Sequence, residues 1–191
     1  MFRLASVADT TLSIHADGLL LRAPRMEDFN DWAQLRQESR SFLAPWEPTW
    51  PIDDLTRQAY RRRMKRYHDE MIADLAYTIF IFEPTTHSLM GGMTLGNVRR
   101  GVSQSATLGY WMGQPFAGRG IMTKAVRIVK NFAFGRLGLR RIEAGCLPVN
   151  TASIRVLEAN GFEREGYARQ YLCIAGIWQD HFLYACLDDR Q

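Results

Sequence analysis

Leu108 to Thr123, LGYWMGQPFAGRGIMT, is the stretch whose reading decides the fold of this chain. Apolar residues alternate at Leu108, Tyr110 and Met112, the period of a strand. A turn carrying Gly118 and Gly120 follows, and a helical pattern then runs from about Met122 to Phe134. Strand, glycine turn and helix make an anion site, because the first N–H groups of a helix lack intrahelical partners and lie at the positive end of its dipole. Glycine lets a phosphate come close to that backbone, so a diphosphate fits there. The same glycines are equally read as plain turn geometry between strand and helix. No Lys-Ser/Thr pair follows them, so the loop is not a Walker A loop, nor does it open the chain as a dinucleotide-binding turn usually does.

Downstream, Arg141 to Leu147 reads as a strand broken by Pro148, and Asn150 caps a predicted helix from Thr151 to Asn160 that ends at Gly161. Tyr167 to Ile174 and Trp178 to Leu187 alternate around Ala175-Gly176 as a final hairpin. Upstream, Ala76–Glu83, Leu89–Val98 and Ala106–Met112 form a predicted meander. Asp53-Asp54 offers a cap for a helix running to about Met71. Its basic residues Arg57, Arg61, Arg62, Arg63, Lys65 and Arg66 suit RNA, an acidic partner or simply a solvated face.

The segment LAPWEPTWP, Leu43 to Pro51, holds three prolines and two tryptophans. Proline stiffens it, so Trp46 and Trp50 stand either as walls of a pocket or as plugs at the core edge. DWAQLRQESRSFL before it has helical spacing, and Thr10 to Ala23 reads as an opening hairpin turning at Asp17-Gly18. Helices after an early strand, a meander, and then alternating strands and helices define a single α/β domain over residues 1–191, with antiparallel and parallel parts.

Composition sets the outer limits. The longest apolar runs, such as Tyr77 to Phe82, fall far short of the roughly 20 residues that span a bilayer, and no signal-peptide pattern opens the chain, so a cytoplasmic protein is expected. Cys146, Cys173 and Cys186 form neither a metal pair nor an even framework, and are read as reduced and mostly buried. The four histidines lack zinc spacing, so no metal is expected. A net charge of +4 suits an anionic cofactor or a ribonucleoprotein neighbour without requiring either.

GQPFAGRG followed by a helix, then RRIEAGCLP, then NTASIRVLEANGF resembles the GCN5-related N-acetyltransferases. The resemblance continues through SFLAPWEP, GNVRRG, LGYWMGQ, GFEREGYARQYL and GIWQDH, and within the family it points to the RimJ/RimL branch of ribosomal-protein-alanine N-acetyltransferases, most of all to RimJ. The pyrophosphate motif Q/R-x-x-G-x-G/A is matched by Pro115 to Gly120 except at its first position, where Pro115 replaces a polar residue. The resemblance implies the family fold: a mixed, mostly antiparallel sheet of about seven strands flanked by helices, with splayed central strands. It implies acetyl-CoA as co-substrate, its diphosphate on the backbone of Gly118, Arg119, Gly120, Ile121, Met122 and Thr123, and its pantetheine arm along Trp111 and Met112.

By the same resemblance Ser153 protonates the CoA thiolate and Asn150 holds the pantetheine arm or a water; helix capping is the other reading of both. The tyrosine acid of many members falls at Leu157, so that mechanism does not transfer, and Ser153, Tyr167 or water must substitute. Glu143 serves as a base or is an exposed strand charge, while Glu47 is the expected counter-ion for the acceptor's ammonium. Trp46, Glu47, Trp50 and Tyr167 make up the expected acceptor site. A base used in RimL-type enzymes falls near Gln170, which cannot act as one.

The resemblance implies a protein N-terminus, Ala or Ser on a ribosomal protein, as acceptor. In that case the loop Trp46–Trp50 and the turn at Ala175-Gly176 are expected to flank an open groove. A small amine (amino acid, polyamine or aminoglycoside) and a non-catalytic CoA-binding, ribosome-associated factor using the basic helix are the alternatives.

Overall fold

The computed structural model describes residues 12–189, so Thr10 and Thr11 of the expected opening hairpin lie outside it. One eight-stranded sheet runs through the molecule in the order β1-β2-β3-β4-β5-β6-β8-β7. Its strands are β1 Ser13–Ala16, β2 Leu19–Arg22, β3 Tyr77–Phe82, β4 Leu89–Arg99, β5 Ser105–Met112, β6 Arg141–Cys146, β7 Glu163–Ile174 and β8 Ile177–Leu187. Every neighbouring pair is antiparallel except β5–β6. The fold is therefore the mixed, mostly antiparallel one expected.

β3 explains why YTIFIF reads as an unbroken apolar run. All six residues are buried, because both faces of the sheet are covered. Ile79 and Ile81 join the cluster under α4 (Ile121–Gly135), whereas Phe80 and Phe82 meet Trp32, Leu35 and Tyr60 of α1 (Phe29–Glu38) and α3 (Arg57–Ile72). α4 buries Met122, Ala125, Val126, Val129, Phe132 and Ala133, a stripe at three- and four-residue spacing. Each large side chain on it contributes on the order of 2 kcal/mol of burial.

Two helix expectations need correction. DWAQLRQESRSFL is two helices, α1 and the short α2 (Arg40–Leu43), parted at Ser39. Ser39 is fully buried, and its Oγ accepts the Gln114 N–H at 2.9 Å, tying the helical corner to the chain just past β5. α3 begins at Arg57 and is capped by Thr56, whose Oγ1 accepts from the Ala59 N–H. Asp53 and Asp54 do not cap it; they pair with Arg62 and Arg63, each at 2.5 Å. Lys65–Asp69 and Arg66–Glu70 pair along the same helix, so much of its basic character is matched locally. One cysteine also departs from expectation, since Cys173 is exposed while Cys146 and Cys186 are buried.

The sheet opens at its one parallel junction. β5 and β6 pair only through Ser105–Arg141, Ala106–Ile142 and Thr107–Glu143. Beyond Thr107 the strands diverge, β5 continuing to Met112 against β4 and β6 to Cys146 against β8. The β6-facing edge of Leu108 to Met112 is left without a strand partner. A cleft forms there, floored by α4 and by α5 (Thr151–Glu158).

Candidate active site

The cleft has a volume of about 570 Å³, within the usual range for a small-molecule site. A second depression of about 420 Å³ lies along α3 among Arg62, Lys65, Asp69 and Glu70; it is shallow, and ions already paired with each other line it.

At one end of the cleft, Gly118 and Gly120 both take left-handed backbone, with φ of 73° and 72°, a conformation that costs other residues about 1–2 kcal/mol. A Cβ on either would meet nothing within 4 Å, so this backbone faces open space. Gly120 starts α4 with no side-chain cap, and the first backbone bond back onto it is Lys124 N–H to the Gly120 carbonyl at 3.2 Å. The N–H groups at the start of α4 are thus aimed at the cleft, the anion geometry of a helix N-terminus. Gly118, Arg119, Gly120, Ile121, Met122 and Thr123 all line the cleft, as do Trp111 and Met112 on the free edge of β5.

At the other end, Asn150 is the N-cap of α5 and Ser153 lies in its first turn. Asn150 Oδ1 accepts the Ser153 backbone N–H at 3.0 Å, so capping is what the Asn150 side chain does, and it leaves the Ser153 hydroxyl out of the cap. That hydroxyl lies 2.8 Å from the hydroxyl of Tyr110, which also donates to the Ser153 carbonyl at 3.3 Å. Burial pushes the Tyr110 phenol well above its ordinary range, opposed by the bond to Ser153; it stays a protonated donor. Cys146 lies on the same wall, its thiol pushed up by burial, with Ser153 again pulling the other way. Leu157, the position at which the resemblance implies a tyrosine in other members, is buried and on the cleft lining. Tyr110 therefore supplies a phenol to the site from the opposite wall.

The expected acceptor residues divide. Trp46 and Glu47 line the cleft, but both oxygens of Glu47 are engaged: Arg36 donates to each at 2.7 Å, and Trp50 Nε1 donates to Oε2 at 2.7 Å. The Arg36 guanidinium stacks on Trp50 at 4.1 Å and lies 5.0 Å from the Trp111 ring. Trp50 is thus a clamp on that ion pair, away from the cleft wall. Because Arg36 is buried, Glu47→Gln leaves a poorly matched cation, and a stability loss of about 3 kcal/mol is expected. Chemical denaturation measures it, and an unchanged midpoint would show that the pair does not hold the loop.

Glu143 does not line the cleft; it pairs with Arg141 Nε at 2.8 Å. Tyr167 is exposed on β7 and donates to Asp180 Oδ2 at 2.5 Å. The expected open groove between the early loop and the final turn is also bridged. The Ala175 N–H donates to the Glu47 carbonyl at 2.9 Å, and Thr49 Oγ1 comes within 3.6 Å of where a Cβ on Gly176 would stand. The proline-rich loop is rigid enough to hold that bond.

Tyr110 and His181 are on the cleft lining without a motif in the sequence to mark them. Tyr110 was legible only as one of the alternating residues of β5. His181 is buried at 3% exposure and lines the cleft from β8, yet no spacing in the chain marks it.

The geometry is matched by kinship. The acetyltransferase (GNAT) domain profile matches residues 18–163, and the chain belongs to that family of N-acetyltransferases. Members of the RimJ/RimL branch are among its relatives. It is 32% identical over 169 residues to the [ribosomal protein uS5]-alanine N-acetyltransferase of Escherichia coli, spanning 88% of this chain and 87% of that one. It is 37% identical over 175 residues to the probable N-acetyltransferase YjcK of Bacillus subtilis, spanning 91% and 97%. The structure of Mycobacterium smegmatis RimJ in complex with CoA-disulfide superposes with a TM-score of 0.87 at 30% identity, covering 95% of this chain and 88% of that one. Among the described residues no helix is long and apolar enough to cross a membrane, and no cluster of His, Cys, Asp or Glu is gathered for a metal.

Proposed function

We propose that the cleft takes acetyl-CoA, its diphosphate on the Gly118–Thr123 backbone and its pantetheine arm along the free edge of β5, and that the acceptor is the terminal amine of a protein chain beginning with Ala or Ser. A ribosomal protein is the partner that the E. coli relative's name suggests. The observation that carries the reading is the conjunction of an uncapped, glycine-opened helix N-terminus with an unpaired strand edge leading from it to the Ser153–Tyr110 pair. Acetyl-CoA supplies an activated acyl group. The residues of this chain align it, present main-chain N–H groups of β5 to the thioester carbonyl, and hold a protonated hydroxyl at Ser153 for the departing sulfur.

Charge on the cleft wall argues against a polycationic acceptor. Glu47 is its single acid among the described residues, and Arg36 already neutralises it, whereas Arg119 and Arg155 are present as cations. Polyamines and aminoglycosides would find no counter-charge. The bridge from Ala175 to Glu47 favours a second reading, an acceptor of amino-acid size, because it narrows the path a peptide would thread. Incubation with acetyl-CoA and a panel of N-terminal peptides, free amino acids, polyamines and aminoglycosides, followed by CoA release, tests both. Turnover confined to Ala- or Ser-starting peptides supports the first reading; turnover of amino acids without peptides replaces it with the second.

A further inference from the structure

We propose that His181 is the base that receives the proton of the acceptor amine, an inference that rests on the acetyl-transfer reading above. The imidazole Nδ1 is 3.0 Å from the Gln179 carbonyl oxygen. A carbonyl can only accept, so Nδ1 carries the hydrogen, and in the neutral ring Nε2 is left as a lone pair. No side chain or backbone group among the described residues bonds to Nε2. The ring lines the cleft, with its Cδ2 side 3.7 Å from where a Cβ on Gly145 would stand. Gly145 lies on β6 next to Cys146, on the same cleft wall. A buried imidazole on the wall of a substrate cleft, with one nitrogen fixed by a carbonyl and the other left as a lone pair, is the arrangement that general-base catalysis needs.

The neighbouring strands hold it there. His181 is the β8 residue just past the last β6 pairing, Cys146–Phe182, and it pairs with Ala168 of β7. Immediately after Ala168 the β7 register shifts, and Gln170 takes φ 47°, a bulge of the kind that re-aims side chains beside active sites. Asp180 organises that bulge: its Oδ1 accepts the Gln170 N–H at 2.7 Å and its Oδ2 the Tyr167 hydroxyl. Beyond the bulge, Tyr171 meets the His181 ring edge-on at 5.7 Å. The titratable and charged groups around the imidazole are Asp180 on its own strand, Tyr171 on β7, Cys146 on β6, and Tyr110, Glu47, Arg119 and Arg155 elsewhere on the cleft wall. Of the acids, Asp180 is held by the bulge and Glu47 by Arg36, which leaves His181 to take up a proton.

In the step itself, the acceptor nitrogen bonds to the acetyl carbon and the carbon–sulfur bond breaks. The nitrogen's surplus proton goes to His181 Nε2, and the departing sulfur takes its proton from the Ser153 hydroxyl, held in place by Tyr110; the proton on His181 then returns through solvent to the Ser153 oxygen, which restores both groups. The products are the amide and the free thiol, with no oxidant or reductant required.

His181→Asn separates the roles, because an asparagine amide can still donate to the Gln179 carbonyl but has no lone-pair nitrogen. With an acceptor found in the panel, kcat/KM of His181→Asn is expected to fall roughly 100-fold or more, with CoA affinity within about twofold of wild type. Nitrogen NMR on histidine-labelled wild-type protein should show the Nδ1–H tautomer at His181, and this decides the matter if the variant does not fold. An active wild type with an unimpaired His181→Asn, or an Nε2–H tautomer, overturns the assignment alone. A wild type that acetylates nothing overturns the acetyl-transfer reading, and the assignment with it.

Discussion

Gly120→Asp is expected to weaken CoA binding at least 100-fold in calorimetry, with circular dichroism showing an intact fold. Two effects add. A carboxylate at the start of α4 sits where the diphosphate must come, so the attraction of the helix N-terminus for an anion is already satisfied and a like charge is met on approach. The left-handed φ of 72° also disfavours any side chain. Gly120→Ala separates them: a Cβ there meets nothing within 4 Å, so the alanine variant should lose some stability and much less affinity. A folded Gly120→Asp protein that binds CoA as wild type does would remove the anion site from the account.

Ser153→Ala should lower kcat about 100-fold while leaving CoA affinity and melting temperature nearly unchanged. The reason lies in which atom caps α5. Asn150 accepts from the backbone N–H of residue 153, which alanine retains, so the loss falls on the hydroxyl alone. Tyr110→Phe should cost less, about tenfold, since Ser153 keeps its own proton and loses only the phenol that holds its hydroxyl in place. Burial keeps that phenol protonated well past neutrality, so no alkaline limb from Tyr110 is expected in the working range. Normal turnover in Ser153→Ala with reduced melting temperature would return Ser153 to a purely structural role.

What could be read from the sequence was local. Gly118 and Gly120 declare the turn before α4 because left-handed backbone selects glycine, and Asp17-Gly18 declares the first hairpin for the same reason, both residues having positive φ. Apolar runs placed β3 to β5 within a residue or two. What misled was competition for the same groups. Asp53 and Asp54 look like helix caps until Arg62 and Arg63, nine residues on, take their carboxylates. Glu47 looks like a free counter-ion until Arg36, eleven residues earlier, occupies both its oxygens. His181 was unreadable because its place depends on a bulge in β7, and neither the bulge nor the carbonyl that sets the tautomer leaves a mark in residue spacing.

The three-residue junction between β5 and β6 makes the sheet two leaves joined by a seam, one of five strands and one of three. Such a seam is the least reinforced line through the molecule, and amides along it should exchange with solvent through local opening rather than global unfolding. In the proposed binding mode, a pantetheine arm bonded to the free edge of β5 would occupy the place of a missing strand and fasten the leaves. Acetyl-CoA bound in that mode would act on folding as well as on chemistry: its binding should turn a loosely coupled pair of leaves into a single cooperative unit, sharpening the thermal transition as well as raising it.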